Sequence, residues 1–400
     1  MKKIIGLLLL SFLVIFAAVP ITSSAATLPT YSITDKSNPL SGAFMKFSTY
    51  NKSTKHYYVI RSYLEKFEKQ KGGTLILKKG TYSVSNTLYV PSNVTIILED
   101  GVKIVKSNVT GTKSFGPSRS IFQLIRPSLS AKKGVYGKYG GEKNISFIGK
   151  GTAIIDLRFN NDNIAIIAGH NQNIKVENIR FQNMKSGHFI EMDATSNASI
   201  KNNVFENSVA SPNKNKEAIN LDTPDRETQG WSQQWSKYDK TPNRYVTIEK
   251  NIFKNLDRSV GTHKYSGGSY HDHITFRQNT IENMRNDAIR VMNWSNAVIE
   301  NNVFRKITDG TRNLRGILAS GALNPTFQYN HFEAVARPIQ FLPWQNSGPG
   351  SNYAITYNKL TEANLEALKN NTVTNSTEDF IRINSKFNIY DDTVKVYLSR

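Results

Sequence analysis

One motif returns in register through the second half of this 400-residue chain. The segments "IKNNVFEN" (200–207), "IEKNIFKN" (248–255), "FRQNTIEN" (276–283), "IENNVFRK" (299–306), "FQYNHFEA" (327–334) and "ITYNKLTE" (355–362) carry an asparagine at one shared position: Asn203, Asn251, Asn279, Asn302, Asn330 and Asn358. Two residues later sits Phe205, Phe253, Ile281, Phe304, Phe332 or Leu360, and "VENIRFQN" (176–183) has the same outline without the asparagine. The spacings are 48, 28, 23, 28 and 28 residues. A period of this size with β-branched residues, an apolar position and an asparagine predicts one turn of a parallel β-solenoid per repeat. Like residues then stack about 4.8 Å apart in successive coils, the asparagines as a hydrogen-bonded ladder and the aromatics as an internal pile. A leucine-rich repeat of similar period needs a leucine consensus that is missing. The spacing of 48 reads as one coil with a loop insertion at about 223–245.

Upstream, "YYVIRSYLEKFEKQKGG" (57–73) predicts a helix, because Ile60, Tyr63, Leu64 and Phe67 fall on one face and Gly72 and Gly73 supply a stop. Strand-like runs follow at 73–84 and 93–105, punctuated by Gly and Asp-Gly. The stretch "GGTLILKKGTYSVSNTLYVPSNVTIILEDGVKI" resembles the N-terminal coil of the pectate-lyase-like superfamily: a helix, a Gly-rich turn, a "GTY" strand, then "PSNVT". The later repeats are similar to that superfamily's coils. The resemblance covers about 57–360 and implies an all-β fold, a right-handed single-stranded parallel β-helix with an N-terminal capping helix. The superfamily includes polysaccharide lyases, glycoside hydrolases, epimerases and phage tailspikes, so the resemblance constrains fold more than reaction. The chain has no "GHG" or paired "DD" of the polygalacturonase type and no "WIDH" of the secreted pectate lyase type, so no catalytic signature carries over. The expected organisation is a signal peptide at 1–26, an extension at 27–56 and the β-helix at 57–400.

The signal peptide is read from Lys2 and Lys3, the apolar run Ile4 to Val19, and the small residues Ser23, Ser24, Ala25 and Ala26. Its removal leaves 49 basic and 31 acidic residues, a charge of about +18. A secreted protein of that charge is expected to attract polyanions, acidic polysaccharide or cell-wall glycan first. The basic residues are spread along the chain rather than gathered on a recognition helix, so nucleic acid is not the expected partner. With no cysteine, packing alone must supply stability.

Each repeat has a further strand centred on Ile190, Ile219, Val260, Ile289, Ile317 or Ile339. Alternation sends the residues one and three later outward. The first outward column reads Glu191, Asn220, Gly261, Arg290, Leu318, Gln340; the second reads Asp193, Asp222, His263, Met292, Ser320, Leu342. Two residues before the centres lie His188, Glu217, Arg258, Asp287, Arg315 and Arg337. Four acids thus fall on adjacent coils of one face, with His263 and Arg290 above them. In the insertion, Trp231, Trp235 and Tyr238 are candidate stacking platforms for sugar rings, or rings that fold back over the helix side. The run "GTHKYSGGSYHDH" (261–273) offers His263, His271 and His273 as a weaker zinc reading.

Three functions fit these residues. A lyase acting on an acidic polysaccharide by β-elimination would use Arg290 or Arg315 to neutralise a uronate, His263 or Lys264 as base, and Ca²⁺ held by Glu191, Asp193, Glu217 and Asp222. A glycoside hydrolase would pair Glu217 or Asp193 with Asp222. A glycan-binding surface adhesin would present the same face, Asn220 included, without turnover. Net basicity favours elimination.

Overall fold

The computed structural model describes residues 28–210, 216–307, 314–345, 354–389 and 393–400. The expected signal peptide lies outside them. The chain winds as a parallel β-helix whose coils carry three strands each. One coil is formed by Ser196–Lys201, Val204–Ser208 and Glu217–Asp222. The next is formed by Arg244–Glu249, Ile252–Leu256 and Arg258–Gly261. Strands of one coil pair in parallel with their counterparts above and below, as in Ile200↔Ile248 and Phe205↔Phe253.

The predicted helix runs over Lys55–Gln70 and buries Tyr57, Tyr58, Ile60, Leu64 and Phe67 against the first coils. It ends because Lys71 turns left-handed, φ 62°. Phe67 lies so close to Gly73 that a Cβ there would sit 2.1 Å from its ring, so the glycine is a packing requirement as well as a stop. The segment expected as an extension belongs partly to the helix itself: Thr30–Ile33 pairs in parallel with Gly73–Leu77. At the other end Thr393–Tyr397 turns back antiparallel on Phe380–Asn384, which covers an edge that would otherwise template another strand.

The asparagine ladder forms as the repeat predicts. Asn251 Oδ1 accepts from the backbone N–H and the Nδ2 of Asn203, at 2.8 and 3.1 Å. Asn279, Asn302 and Asn330 repeat both bonds upward. Each Nδ2 also donates to a carbonyl of the coil below, as Asn279 does to Ile248. The residue before each rung is left-handed: Asn202, Lys250, Gln278, Asn301 and Tyr329 have φ of 54–55°. That single conformation turns the corner between two strand stacks. Beside the ladder the rings of Phe205 and Phe253 stack at 4.9 Å, and those of Phe304 and Phe332 at 4.8 Å.

The last rung differs from expectation. Asn330 bonds to Asn371, 41 residues on, rather than to Asn358. The final coil is lengthened by the helix Glu362–Leu368, so the motif at 355–362 arrives before the corner. Asn358 instead accepts from Ala322 N–H and donates to Ala319 O, and Val373 takes the place over Phe332 that Leu360 was expected to fill.

Removing one rung takes partners from buried groups on the coil below. Asn279→Ala leaves the Asn251 N–H without its acceptor and takes one donor from the Ile248 carbonyl. At about 1–3 kcal/mol per group, the expected loss is about 2–6 kcal/mol, read from the denaturant midpoint at unchanged m.

Candidate active site on the stacked-acid face

The strand centres stack as the sequence predicts: Ile190↔Ile219, Ile219↔Val260, Val260↔Ile289 and Ile289↔Ile317 are in register. Glu191↔Asn220 and Asp193↔Asp222 follow in the outward columns. His263 lies just past its strand, held where the column needs it because its backbone N–H, with that of Lys264, donates to Asp222 Oδ1 at 3.0 Å.

The site is a set of acids with unequal partners. Arg258 Nη1 donates to Glu217 Oε1 at 2.7 Å, with both side chains buried. His263 Nδ1 faces three acceptors: Asn220 Oδ1 at 3.1 Å, Glu217 Oε2 at 3.3 Å and Asp222 Oδ2 at 3.6 Å. His188 Nδ1 lies 2.7 Å from the Glu217 carbonyl oxygen, which can only accept, so this nitrogen carries the proton. Its Nε2 then holds the lone pair, 3.7 Å from Glu191 Oε2. Both Asp193 oxygens, Glu217 Oε2, Asp222 Oδ2 and Asn220 Nδ2 are buried with no hydrogen-bond partner. A fold does not gain from such atoms; a cluster of them marks a place shaped for something else to bind.

These surroundings split the charge states. Burial, then the Asp222 charge, pushes Glu191 up to about 8. Burial and the neighbouring acids Glu191 and Asp222 raise Asp193 well above the ordinary range. Burial also raises Asp222. Burial would raise Glu217 too, but His263 and Arg258 outweigh it and hold that carboxyl well below the ordinary range. Burial opposes charge on His263, yet Asp222 and Glu217 prevail and raise it, whereas His188 is driven down to about 3, chiefly by burial. At neutral pH the cluster therefore holds a protonated Glu191, an ionised Glu217 and a neutral imidazole at His188, and the neighbouring acids favour the charged form of His263. Of these groups Glu191 and His263 reach the surface, with 12% and 27% of their side chains exposed.

Several expected roles change. His263 was expected as a base; its three acceptors make it a proton donor. Arg315 was expected to bind substrate, but its guanidinium is occupied by Asp287 and Gln340. Lys264 contributes its backbone N–H to the cluster. Of the two expectations for Trp231 and Trp235, stacking platforms or rings folded back over the helix, the structure has the second: they are 5% and 1% exposed and pack with Ile125, Tyr136 and Ile167. They sit over Gly169, where a Cβ would meet Trp231 at 2.6 Å. Gly169 and Ile167 are the register partners of Asp193 and Glu191. The 223–245 insertion thus walls off the face on the coil directly below the acids, and Tyr238 has Arg226 over its ring. His271 is buried and accepts from Asn243 N–H, while exposed His273 pairs with Asp272, so the two do not converge as a zinc site. The columns contained His188 and Arg258, but position alone did not show that both bind Glu217.

As for a cation, the one group of His and carboxylate ligands among the described residues whose donor atoms lie within 4.8 Å of one another is His188, Glu217 and His263. It is poor in oxygen and includes a carboxylate already bonded to Arg258, which suits Ca²⁺ badly.

The raised Glu191 makes a stability prediction. In the unfolded chain it titrates near 4.5, in the fold near 8. The folded state binds the extra proton between these values, so this contribution is complete below the lower value and is lost as pH rises through the upper one. The Tm of Glu191→Gln should fall less than that of the native protein between pH 5 and 8, about the range those two values bracket.

A family model described as "Right handed beta helix region" matches residues 238–394. The plasmin and fibronectin-binding protein A of Streptococcus pneumoniae is 21% identical over 262 residues, which are 60% of this chain and 35% of that protein, so the match spans about a third of the relative's length. The solved structure of the S. pneumoniae surface protein and adhesin PfbA superposes with a TM-score of 0.62 at 15% identity, covering 88% of each chain. A tailspike protein mutant of E. coli bacteriophage HK620, in complex with a pentasaccharide, superposes with a TM-score of 0.52 at 14% identity over 88% of this chain and 60% of that one. Three strand stacks per coil, a continuous ladder and these likenesses give the chain the fold of a right-handed parallel β-helix, with no family assigned.

Proposed function

We propose that the stacked-acid face binds a polysaccharide outside the cell and hydrolyses it, with Glu191 as the proton donor to the leaving oxygen. The observation that carries this reading is the divided charge of one carboxylate cluster. Glycoside hydrolysis needs a carboxyl kept protonated at neutral pH beside one kept ionised, and Glu191 and Glu217 are driven apart in that sense. Glu217, the carboxylate held ionised, is then the one that activates water or attacks the sugar, through the Oε2 that Arg258 leaves unbonded. The aromatic wall blocks the coil below, so substrate runs from Glu191 towards Arg290. Extracellular placement rests on the expected signal peptide and on the likeness to a surface adhesin; no helix among the described residues is long and apolar enough to cross a membrane.

Elimination from an acidic polysaccharide is the second reading, favoured by the guanidinium of Arg290, whose Nε has no acceptor. It then needs His188 rather than His263 as base. Binding without turnover, as the adhesin likeness suggests, is the third.

One assay over pectate, alginate, glycosaminoglycans and wall polymers separates them. Hydrolysis yields new reducing ends without unsaturated-uronide absorbance, elimination yields both, and binding yields neither. Under the hydrolytic reading Glu191→Gln lowers kcat by about 10²–10⁴, and the native rate falls as pH rises through about 8, where Glu191 loses its proton. Calcium held by the four acids is a separate proposal supported by the unpartnered oxygens of Asp193, Glu217 and Asp222. The proton-transfer route predicts full activity after EDTA, and loss restored by Ca²⁺ would assign the ion instead.

A further inference from the structure

Arginines line this face above the acids, and most are committed to carboxylates: Arg258 to Glu217, Arg315 to Asp287, Arg337 and Arg382 to Glu378. Arg290 differs. Its guanidinium has neither an ion pair nor a hydrogen bond among the described residues, and its Nε is shut off from water without an acceptor. Burial and Arg258 lower it to about 10, so it stays a cation at neutral pH. A charge held in this way is expensive unless something pairs with it.

Beside it stands Trp344, with the Arg290 guanidinium carbon 5.6 Å from its ring centroid. Its backbone is fixed by a two-way pairing with Thr356, at 3.1 and 2.8 Å. The other three tryptophans, Trp231, Trp235 and Trp294, are at most 5% exposed, whereas Trp344 is half-buried. Its Nε1 also lacks an acceptor. Gly261 lies between Asn220 and Arg290 in the outward column and puts no side chain there. Arg290 is three coils above Glu191, about 14 Å along the axis at coil spacing.

We propose that Arg290 and Trp344 form a subsite for a sugar residue bearing an anionic group. The ring's apolar face lies on the indole, and the anion meets the guanidinium fork, whose geometry matches a carboxylate in two parallel bonds. This deepens the polysaccharide reading by naming the substrate class as acidic, and it rests on that reading only for the ligand being a glycan.

Tryptophan fluorescence tests it without turnover, because Trp344 is the residue of the four most open to acrylamide. Oligogalacturonate, a sulfated heparin-derived oligosaccharide and a neutral oligosaccharide of equal length are the probes. The subsite predicts that an acidic oligomer protects the quenchable fraction and the neutral one does not; protection by the carboxylated or the sulfated probe alone identifies the anion. Trp344→Phe should remove the quenchable fraction. Arg290→Gln should weaken protection about tenfold to a hundredfold, and Arg290→Lys, which keeps the charge and loses the fork, should fall between. Equal protection by neutral and acidic probes, no protection by any probe, or unchanged protection in both Arg290 variants would overturn the proposal. Turnover of a neutral polymer with no protection by acidic probes would sink this subsite and leave the hydrolytic reading standing.

Discussion

The asparagine ladder decides where every outward side chain lands. Each rung's Oδ1 accepts twice from the coil below, and its Nδ2 donates to the coil above and to a carbonyl beneath. An aspartate could not donate, and a glutamine is one methylene too long for the corner. Because strand side chains alternate, a slip of one residue between coils would exchange inner and outer faces. The ladder fixes the register at one corner, and the Phe pile beside it makes a slip costly in packing as well. The columns that bring Glu191 beside Asn220 and Asp193 beside Asp222 inherit that register.

Stability does not explain what sits on those columns. Stacking acids on adjacent coils and closing them from water raises the energy of the charged forms. The fold tolerates this by leaving a proton on Glu191, by favouring the neutral form of Asp193, and by setting a buried arginine and His263 beside Glu217. Among the described residues the unpartnered carboxylate oxygens, of Asp193, Glu217 and Asp222, lie together on one short stretch of the solenoid. Strain of that kind is found where binding or catalysis needs a preorganised field. The aromatic wall adds direction: it closes one side of the acids and leaves the side towards Arg290 open.

Much of this was legible from residues alone, because a stacked repeat turns sequence spacing into spatial adjacency. The coil centres, both outward columns and the placement of the insertion follow from aligning repeats. What alignment cannot supply is the third dimension of the loops and the charge carried by each group. Asn358 imitates a rung because the motif is short, and only the helix inserted before Asn371 shows that the corner comes later. Trp231 and Trp235 look like platforms in a polar loop, yet Gly169 leaves a gap that takes them inward. His263 reads as a base until its three acceptors are counted. Trp344 belongs to no column, since it follows the last residue of its strand, and no spacing argument could reach it.

The account turns on the proton at Glu191. Carboxyl carbon NMR on protein labelled with ¹³C-glutamate, with Glu191→Gln to assign the resonance, reads that proton directly. A carboxyl still protonated at neutral pH and titrating near 8 is the predicted result. A resonance that titrates near the ordinary glutamate value of 4.5 would show that the cluster does not divide its charges, and the proposed acid would be lost.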